Sequence, residues 1–200
     1  MSGVRMSASV SAEVGRAVIA DAQLVALAHE SRADALEAMY SAYKGRIYTY
    51  LLRLLADPEG ADDLTQDVFT KAYQAFGTLT KEHRVLPWLY RIATNTGIDH
   101  LRRKRRFTWL RVGRLAGTGD EPVMRDHHAE LPERDQVQGI LARLPAEQST
   151  ALLLHALEGY SYKEIAEIQG CTLTAVRSRL ARARKSFRTD YATTEARQPS

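Results

Sequence analysis

Six cations crowd one arc of the last helical stretch of this 200-residue chain: Arg177, Arg179, Arg182, Arg184, Lys185 and Arg188, with no acid between them. At 100° per residue, Val176, Leu180, Ala183 and Phe187 share a narrow stripe on the other side. Like charges at i,i+4 cost about 0.2–0.5 kcal/mol per pair. A helix shaped only for stability would interleave glutamates, and phosphates would relieve the repulsion. The competing reading is a solvated face that happens to be basic.

Two short helices and a tight turn position this row. Ser161 with Glu164 three residues on makes a capping box, so a helix is predicted from Ser161. Ile165, Ala166 and Ile168 give it an apolar face, and Gly170 ends it where a left-handed residue is needed. A second helix is predicted from Thr172 or Thr174. Ala166, Gly170 and Val176 have helix-turn-helix spacing: a small residue for close crossing, a turn, and a plug.

Catalytic chemistry finds little to work with. There is no Gly-rich phosphate loop, no histidine–carboxylate metal cluster and no nucleophile motif, so no enzyme, metal or cofactor is expected. His100 reads as a surface histidine, and His127–His128 lack a metal-ligand pattern. Cys171 is the only cysteine, which rules out an intrachain disulfide and fits a reducing compartment. At the turn it reads as a small buried apolar residue, with a redox-sensitive thiol as the alternative. No apolar run reaches membrane-span length, and Glu13, Arg16 and Asp21 interrupt any signal-peptide core. The expectation is a cytoplasmic protein with no membrane insertion of its own.

Hydrophobic content of 44% supports a real core, and a net charge of +4 says little until its blocking is seen. Residues 56–67 hold five acids and no base, 99–114 seven bases and one acid, and 119–135 six acids and two bases. Such alternation suggests separate surfaces for separate partners.

The pattern is all-α. Residues 1–20 read as a loosely ordered N-terminus. Helices are predicted from Asp21 to Ser31, from Arg32 to Ala56, from Ala61 to Phe76 after the Asp57–Gly60 break, and from Pro87 through the basic run at 102–106. In the last of these Trp88, Leu89, Ile92, Ile98 and Leu101 are the predicted core, and Asn95, a poor helix former, needs a hydrogen-bonding partner or a base edge. Asp62, Asp63 and Asp67 suit the helix dipole, yet with Gln66 and Thr70 they equally form a polar ridge for a basic protein. From 105 to 134 regular patterning is lost, which predicts a flexible linker between two small helical domains, 21–104 and 135–188. The second is the helix-turn-helix domain, introduced by Pro145 and a helix ended by Gly159; 189–200 read as a polar tail.

Four stretches in this order, ADDLTQDVFTKAY, WLYRIATNTGIDHLRRKRR, LPAEQSTALLLHALEGYSYKEIAE and AVRSRLARAR, resemble the extracytoplasmic-function group of bacterial sigma factors, the smallest of the sigma-70 family. The likeness covers roughly 21–104 and 132–188. Ala175, Val85 and Pro87 depart from the common pattern without breaking it. The resemblance implies that 21–104 is sigma domain 2 and 135–188 sigma domain 4. Asp62, Asp63, Gln66, Asp67 and Thr70 would meet the clamp helices of the largest subunit of core RNA polymerase, and the flap of the second-largest subunit would be a further partner. Promoter DNA would be held at the −10 element by Lys81, His83, Arg84, Arg91, Asn95, His100, Arg102 and Arg103. At the −35 element it would meet Thr172, Thr174, Arg177, Ser178, Arg179, Arg182, Arg184 and Lys185. Trp109 would stack on the opened strand or pack on its own domain. An anti-sigma factor is implied as regulator and could hold the protein at a membrane. The alternative is a stand-alone helix-turn-helix regulator, which needs neither the acidic helix nor a long linker.

Overall fold

Serine and aspartate caps set the boundaries of the first helices. The computed structural model describes residues 21–80, 84–115 and 133–195, apart from the side chains of 108–115, 133–136 and 192–195. Helix α1 covers 21–30, and Ser31 then caps α2 (Arg32–Leu55) by accepting from the Asp34 N–H. At Ala56 the chain turns with φ 54°, a left-handed conformation unusual for a residue with a Cβ. Asp57 accepts from the Gly60 N–H and Pro58 takes the first turn of α3 (Pro58–Gln74). The predicted break is thus also a helix start, three residues earlier than the apolar pattern gives, because a cap and a first-turn proline lie outside that pattern.

After one 3-10 turn (Phe76–Thr78) comes α4 (Val85–Leu115), then α5 (Glu133–Arg143), α6 (Ala146–Ala156), α7 (Tyr162–Gln169) and α8 (Leu173–Glu195). Among the described residues no strand occurs. Pro87 lies inside the first turn of α4, not at its first position, where its missing N–H still removes no helical bond.

The N-terminal core joins Met39, Ile47 and Leu51 of α2, Leu64, Val68 and Ala72 of α3, and Leu89 and Ala93 of α4. Inside it the Tyr50 hydroxyl and Thr94 Oγ1 lie 2.9 Å apart, which satisfies two buried polar groups. Gly97 lets α4 cross α2 closely, since a Cβ there would sit 2.6 Å from Leu54 Cδ2. The C-terminal core is Leu141, Leu154, Ile165, Val176, Leu180 and Ala183. The capping box is present as predicted: Glu164 N–H donates to Ser161 Oγ and Ser161 N–H to Glu164 Oε2. Gly170 has φ 59° at the end of α7.

The two groups of helices meet directly: α7 packs on α4, and α5 and α6 pack on α2. Tyr90 of α4 meets Tyr160 edge-to-face at 5.6 Å and is fully buried. Of the core positions predicted for this helix only Leu89 is buried, while Trp88, Ile92, Ile98 and Leu101 are half-buried. Periodicity within one helix cannot register a second face covered by a distant domain.

Two helices overrun the predicted boundaries. α4 continues through 105–115, where a linker is predicted, because no breaker precedes Gly113 and Arg105 is tied to the Leu144 carbonyl at 3.0 Å. α8 continues past Arg188 to Glu195, where Phe187 and Tyr191 stack one turn apart at 6.2 Å. The readings made for 1–20, for most of the linker (116–132) and for 196–200 lie outside the described residues. No helix of the described residues is long and apolar enough to cross a membrane.

Candidate nucleic-acid interface

Exposure on α8 follows from its stripe. Val176, Leu180 and Ala183 are buried, so the helix must turn Thr174, Arg177, Ser178, Arg182 and Lys185 outward, and all five are exposed. Thr172 accepts from the Ala175 N–H and so acts as the cap of this helix. Arg179 is turned inward: Nη1 donates to Gln169 Oε1 at 2.8 Å and lies 3.1 Å from Cys171 Sγ. Gln169 in turn donates to Thr150 Oγ1 and to the Glu147 carbonyl. Arg179 therefore braces the turn, and Cys171 is half-buried beside it. Arg184 donates to the Tyr162 hydroxyl at 3.1 Å while its side chain stays exposed.

On α3, burial of Leu64, Val68 and Ala72 leaves Asp63, Gln66, Asp67 and Thr70 exposed, with Asp62 half-buried beside them. Gln66 donates to Asp62 Oδ2 at 3.1 Å, and the Thr70 hydroxyl to the Gln66 carbonyl at 3.0 Å. The result is an acidic ridge on the solvent side.

The cations of α4 form a third face. Arg91, Asn95, Arg102 and Arg103 are exposed and His100 is half-buried, whereas Lys81 and His83 lie outside the described residues. Among the described residues the exposed Asn95 makes no side-chain hydrogen bond. A concavity of about 730 Å³ is lined by Lys71, Asp99, Arg102, Arg103, Arg105 and Arg106, a setting for an anion. Phe107 beside it is 73% exposed. Lys71 was not picked out by the sequence pattern; it reaches the concavity from α3, donating to Thr96 Oγ1 at 2.9 Å. The side chain of Trp109 is outside the described set.

The −10 candidates are not all open. Arg84 donates to Glu164 Oε1 at 3.1 Å and Arg102 to Glu147 Oε1 at 2.6 Å, both glutamates of the C-terminal domain. Arg46 adds a third such pair with Glu158 at 3.0 Å. Burial alone would push the Glu147 carboxyl up, but its backbone hydrogen bond and the Arg102 guanidinium outweigh that and hold it below the ordinary carboxylate range. Glu164 behaves alike: burial raises it, while its capping-box hydrogen bonds and Arg84 win and lower it. Glu164 enters the sequence analysis only as a capping-box residue, and Glu147 and Glu158 have no role of their own there, since only the fold sets the three opposite arginines 45 to 112 residues away.

A fourth feature is apolar. A groove of about 500 Å³ runs between Val137 and Leu141 of α5, Leu152 and Leu157 at α6, and Phe187 of α8, with Arg53, Arg184 and Arg188 along it. Leu157 is 48% exposed there. Among the described residues no group of His, Cys, Asp and Glu is placed to hold a metal ion.

Comparison with known proteins gives one consistent picture. Residues 39–107 match the family model for sigma-70 region 2, and 129–187 that for sigma-70 region 4. The RNA polymerase sigma-H factor of Pseudomonas aeruginosa is 34% identical over 84% of this chain and 91% of its own length. The extracytoplasmic-function sigma-E factor of Haemophilus influenzae is 30% identical over 84% of this chain and 93% of its own. Among solved structures, CnrH in complex with the cytosolic domain of CnrY aligns with TM-score 0.63 at 23% identity, covering 90% of this chain and 99% of that one. The sigma factor RpoE of Bartonella quintana, in complex with the anti-sigma factor NepR, aligns with TM-score 0.58 at 24% identity, over 76% and 94% respectively.

Proposed function

This chain belongs to the sigma-70 family, in its extracytoplasmic-function group, and from that premise we propose a division of labour among its faces. The protein is an RNA polymerase sigma factor, a transcription-initiation protein that works by binding rather than by catalysis of its own. The observation that carries this reading is the pairing of an exposed acidic ridge on α3 with an outward row of cations on α8 in one chain.

The ridge of Asp62, Asp63, Gln66, Asp67 and Thr70 docks on the clamp helices of the largest polymerase subunit. The apolar groove between α5, α6 and α8 receives the flap of the second-largest subunit, its exposed Leu157 and flanking arginines suiting an apolar segment with acids at its edge. Residues 77–86 and α4, with Lys81, His83, Arg84, Arg91, Asn95, His100, Arg102 and Arg103, capture the −10 element. Watson–Crick edges are unreadable inside a duplex, so bases must be flipped out at a cost of about a few kcal/mol. Phosphate contacts from the basic run offset that cost. On α8, Arg177, Ser178 and Arg182 reach base edges of the −35 element in the major groove, with Thr172, Thr174 and Lys185 at its margins. Arg179 contributes there by fixing the turn, and Arg184 from its place beside Tyr162. An anti-sigma factor restrains the protein by covering these docking surfaces, and the protein works in the cytoplasm.

The test is run-off transcription with sigma-free core RNA polymerase on genomic promoter fragments, with Asp67→Arg and Arg177→Ala in parallel. Specific transcripts from the unmodified protein, lost in both variants, are expected. Absence of transcripts together with absence of binding to core polymerase would move the assignment to a stand-alone regulator.

A further inference from the structure

Among the described residues one carboxylate is buried, and it belongs to none of the docking faces. Asp21, at the start of α1, is 8% exposed. It stands where α1, α2 and α4 meet. Tyr43 of α2 donates its hydroxyl proton to Asp21 Oδ1 at 3.1 Å, and the backbone N–H of Val85, the first residue of α4, donates to the same carboxylate. Burial pushes the Asp21 carboxyl above its ordinary value, although Tyr43, the Val85 N–H and the charge of Arg84 all pull it down. Burying an acid is costly, and the start of α4 supplies the reason.

Every helix begins with N–H groups that have no acceptor within the helix. At the starts of α2, α3 and α7 a local side chain meets one of them: Ser31, Asp57 and Ser161. Immediately before α4 stands Arg84, whose side chain carries donors only and cannot do this. Val85 is fully buried, so water does not reach its N–H. Asp21 brings the missing acceptor from a distant helix and sets a negative charge at the positive end of the α4 dipole.

We propose that Asp21 is a positioning residue for −10 capture: oriented by Tyr43, it caps α4 from α1 and so fixes where Arg84, and Arg91 two turns on, meet the promoter strand. This rests on the −10 reading given above. Asp21 itself is too buried to touch the strand. Without its carboxylate the first turn of α4 frays to satisfy the Val85 N–H, and the two arginines lose their fixed separation.

The experiment uses holoenzyme assembled from core RNA polymerase and the full chain. The probe is a fluorescent single-stranded oligonucleotide carrying the −10 element of a promoter found by the run-off assay, with a scrambled strand and the −35 duplex beside it. Asp21→Ala should bind the −10 strand about tenfold more weakly, a loss equivalent to about 1.4 kcal/mol and of the size expected for an unmet buried donor. Its affinities for the −35 duplex and for core polymerase should stay within about twofold. Asp21→Asn keeps an oxygen that accepts from Val85 and should recover strand binding to within about threefold of the unmodified protein. Ser31→Ala, which strips the cap of α2 in the same domain, should lower the melting temperature and leave strand binding unchanged. Equal strand losses in Asp21→Ala and Ser31→Ala, or equal losses on strand and −35 duplex, would reduce Asp21 to a stability residue and overturn the proposal. Unchanged strand binding in Asp21→Ala would overturn it too, while leaving the −10 reading intact. Failure of the unmodified holoenzyme to prefer the −10 strand over the scrambled one would sink that reading and the proposal together. Should Asp21→Ala not assemble with core, Tyr43→Phe decides, because it leaves the acceptor in place and frees the carboxylate to swing. A loss of about threefold on the −10 strand alone is then expected, and no loss would overturn the proposal.

Discussion

Arg177 and Arg179 sit two residues apart in one cationic row and do different work. Arg177 is exposed on the outward side of α8, while Arg179 closes a chain of hydrogen bonds through Gln169 to Thr150 and the Glu147 carbonyl. Arg177→Ala should leave the urea midpoint unchanged and weaken binding to −35 duplex within holoenzyme by about 1–3 kcal/mol, the worth of a base-reading arginine. Gln169→Ala should behave in the opposite way. It strips partners from Thr150 and Arg179 and should cost about 1–3 kcal/mol of stability, read by urea unfolding. A Gln169→Ala protein with an unshifted midpoint would show that the brace is idle. Lys185→Ala, on the same exposed face, should weaken all duplex sequences evenly and reduce the salt slope by about one.

Among the elements, α4 is the one on which most depends. It carries the basic run, closes the N-terminal core and receives α7. Its close crossing with α2 is licensed by Gly97, so Gly97→Leu should overpack against Leu54 and cost about 1–3 kcal/mol or more. Thermal unfolding of the full chain checks this. The helical class, the capping box at Ser161, the Gly170 turn and the Val176–Leu180–Ala183 stripe were legible in the sequence, because each is written within a single turn or a single period. The outward set on α3 and α8 followed from those stripes. What stayed illegible depends on distant residues: the burial of Tyr90 by Tyr160, the inward turn of Arg179, and the glutamates opposite Arg84 and Arg102. The end of α4 was misplaced for a related reason. Charge-rich sequence such as RRKRRF loses its apolar period without losing the ability to be helical.

At the level of the whole molecule, the two domains are joined by carboxylates that titrate. Against burial, Glu147 and Glu164 are both held below the ordinary carboxylate value of 4.5, first by hydrogen bonds at the starts of their own helices and then by Arg102 and Arg84 across the interface. Only the arginine part distinguishes the closed form from the open one. A lowered value in the closed form means that the pairing is fully present above the ordinary value and is lost as pH falls through the lowered one. Acidification below about 4.5 should therefore open the interface, seen as a rise in scattering radius. Far-ultraviolet circular dichroism recorded in parallel separates opening from unfolding. An interface that stays closed until the helices melt would show that these pairs do not hold it.

The overrun of α4 also sets how far the molecule can stretch. With α4 ending at Leu115 and α5 starting at Glu133, only 17 residues, 116–132, lie between the two rods. Fully extended, that leash reaches about 60 Å. At 3.4 Å per base pair this is a little under two turns of duplex. On the −10 and −35 reading proposed above, this length caps the distance between the two DNA elements that one molecule can grip. Lengthening it with ten Gly-Ser residues should let polymerase carrying this protein start transcription from promoters with wider gaps, which a run-off series of spacer lengths would display.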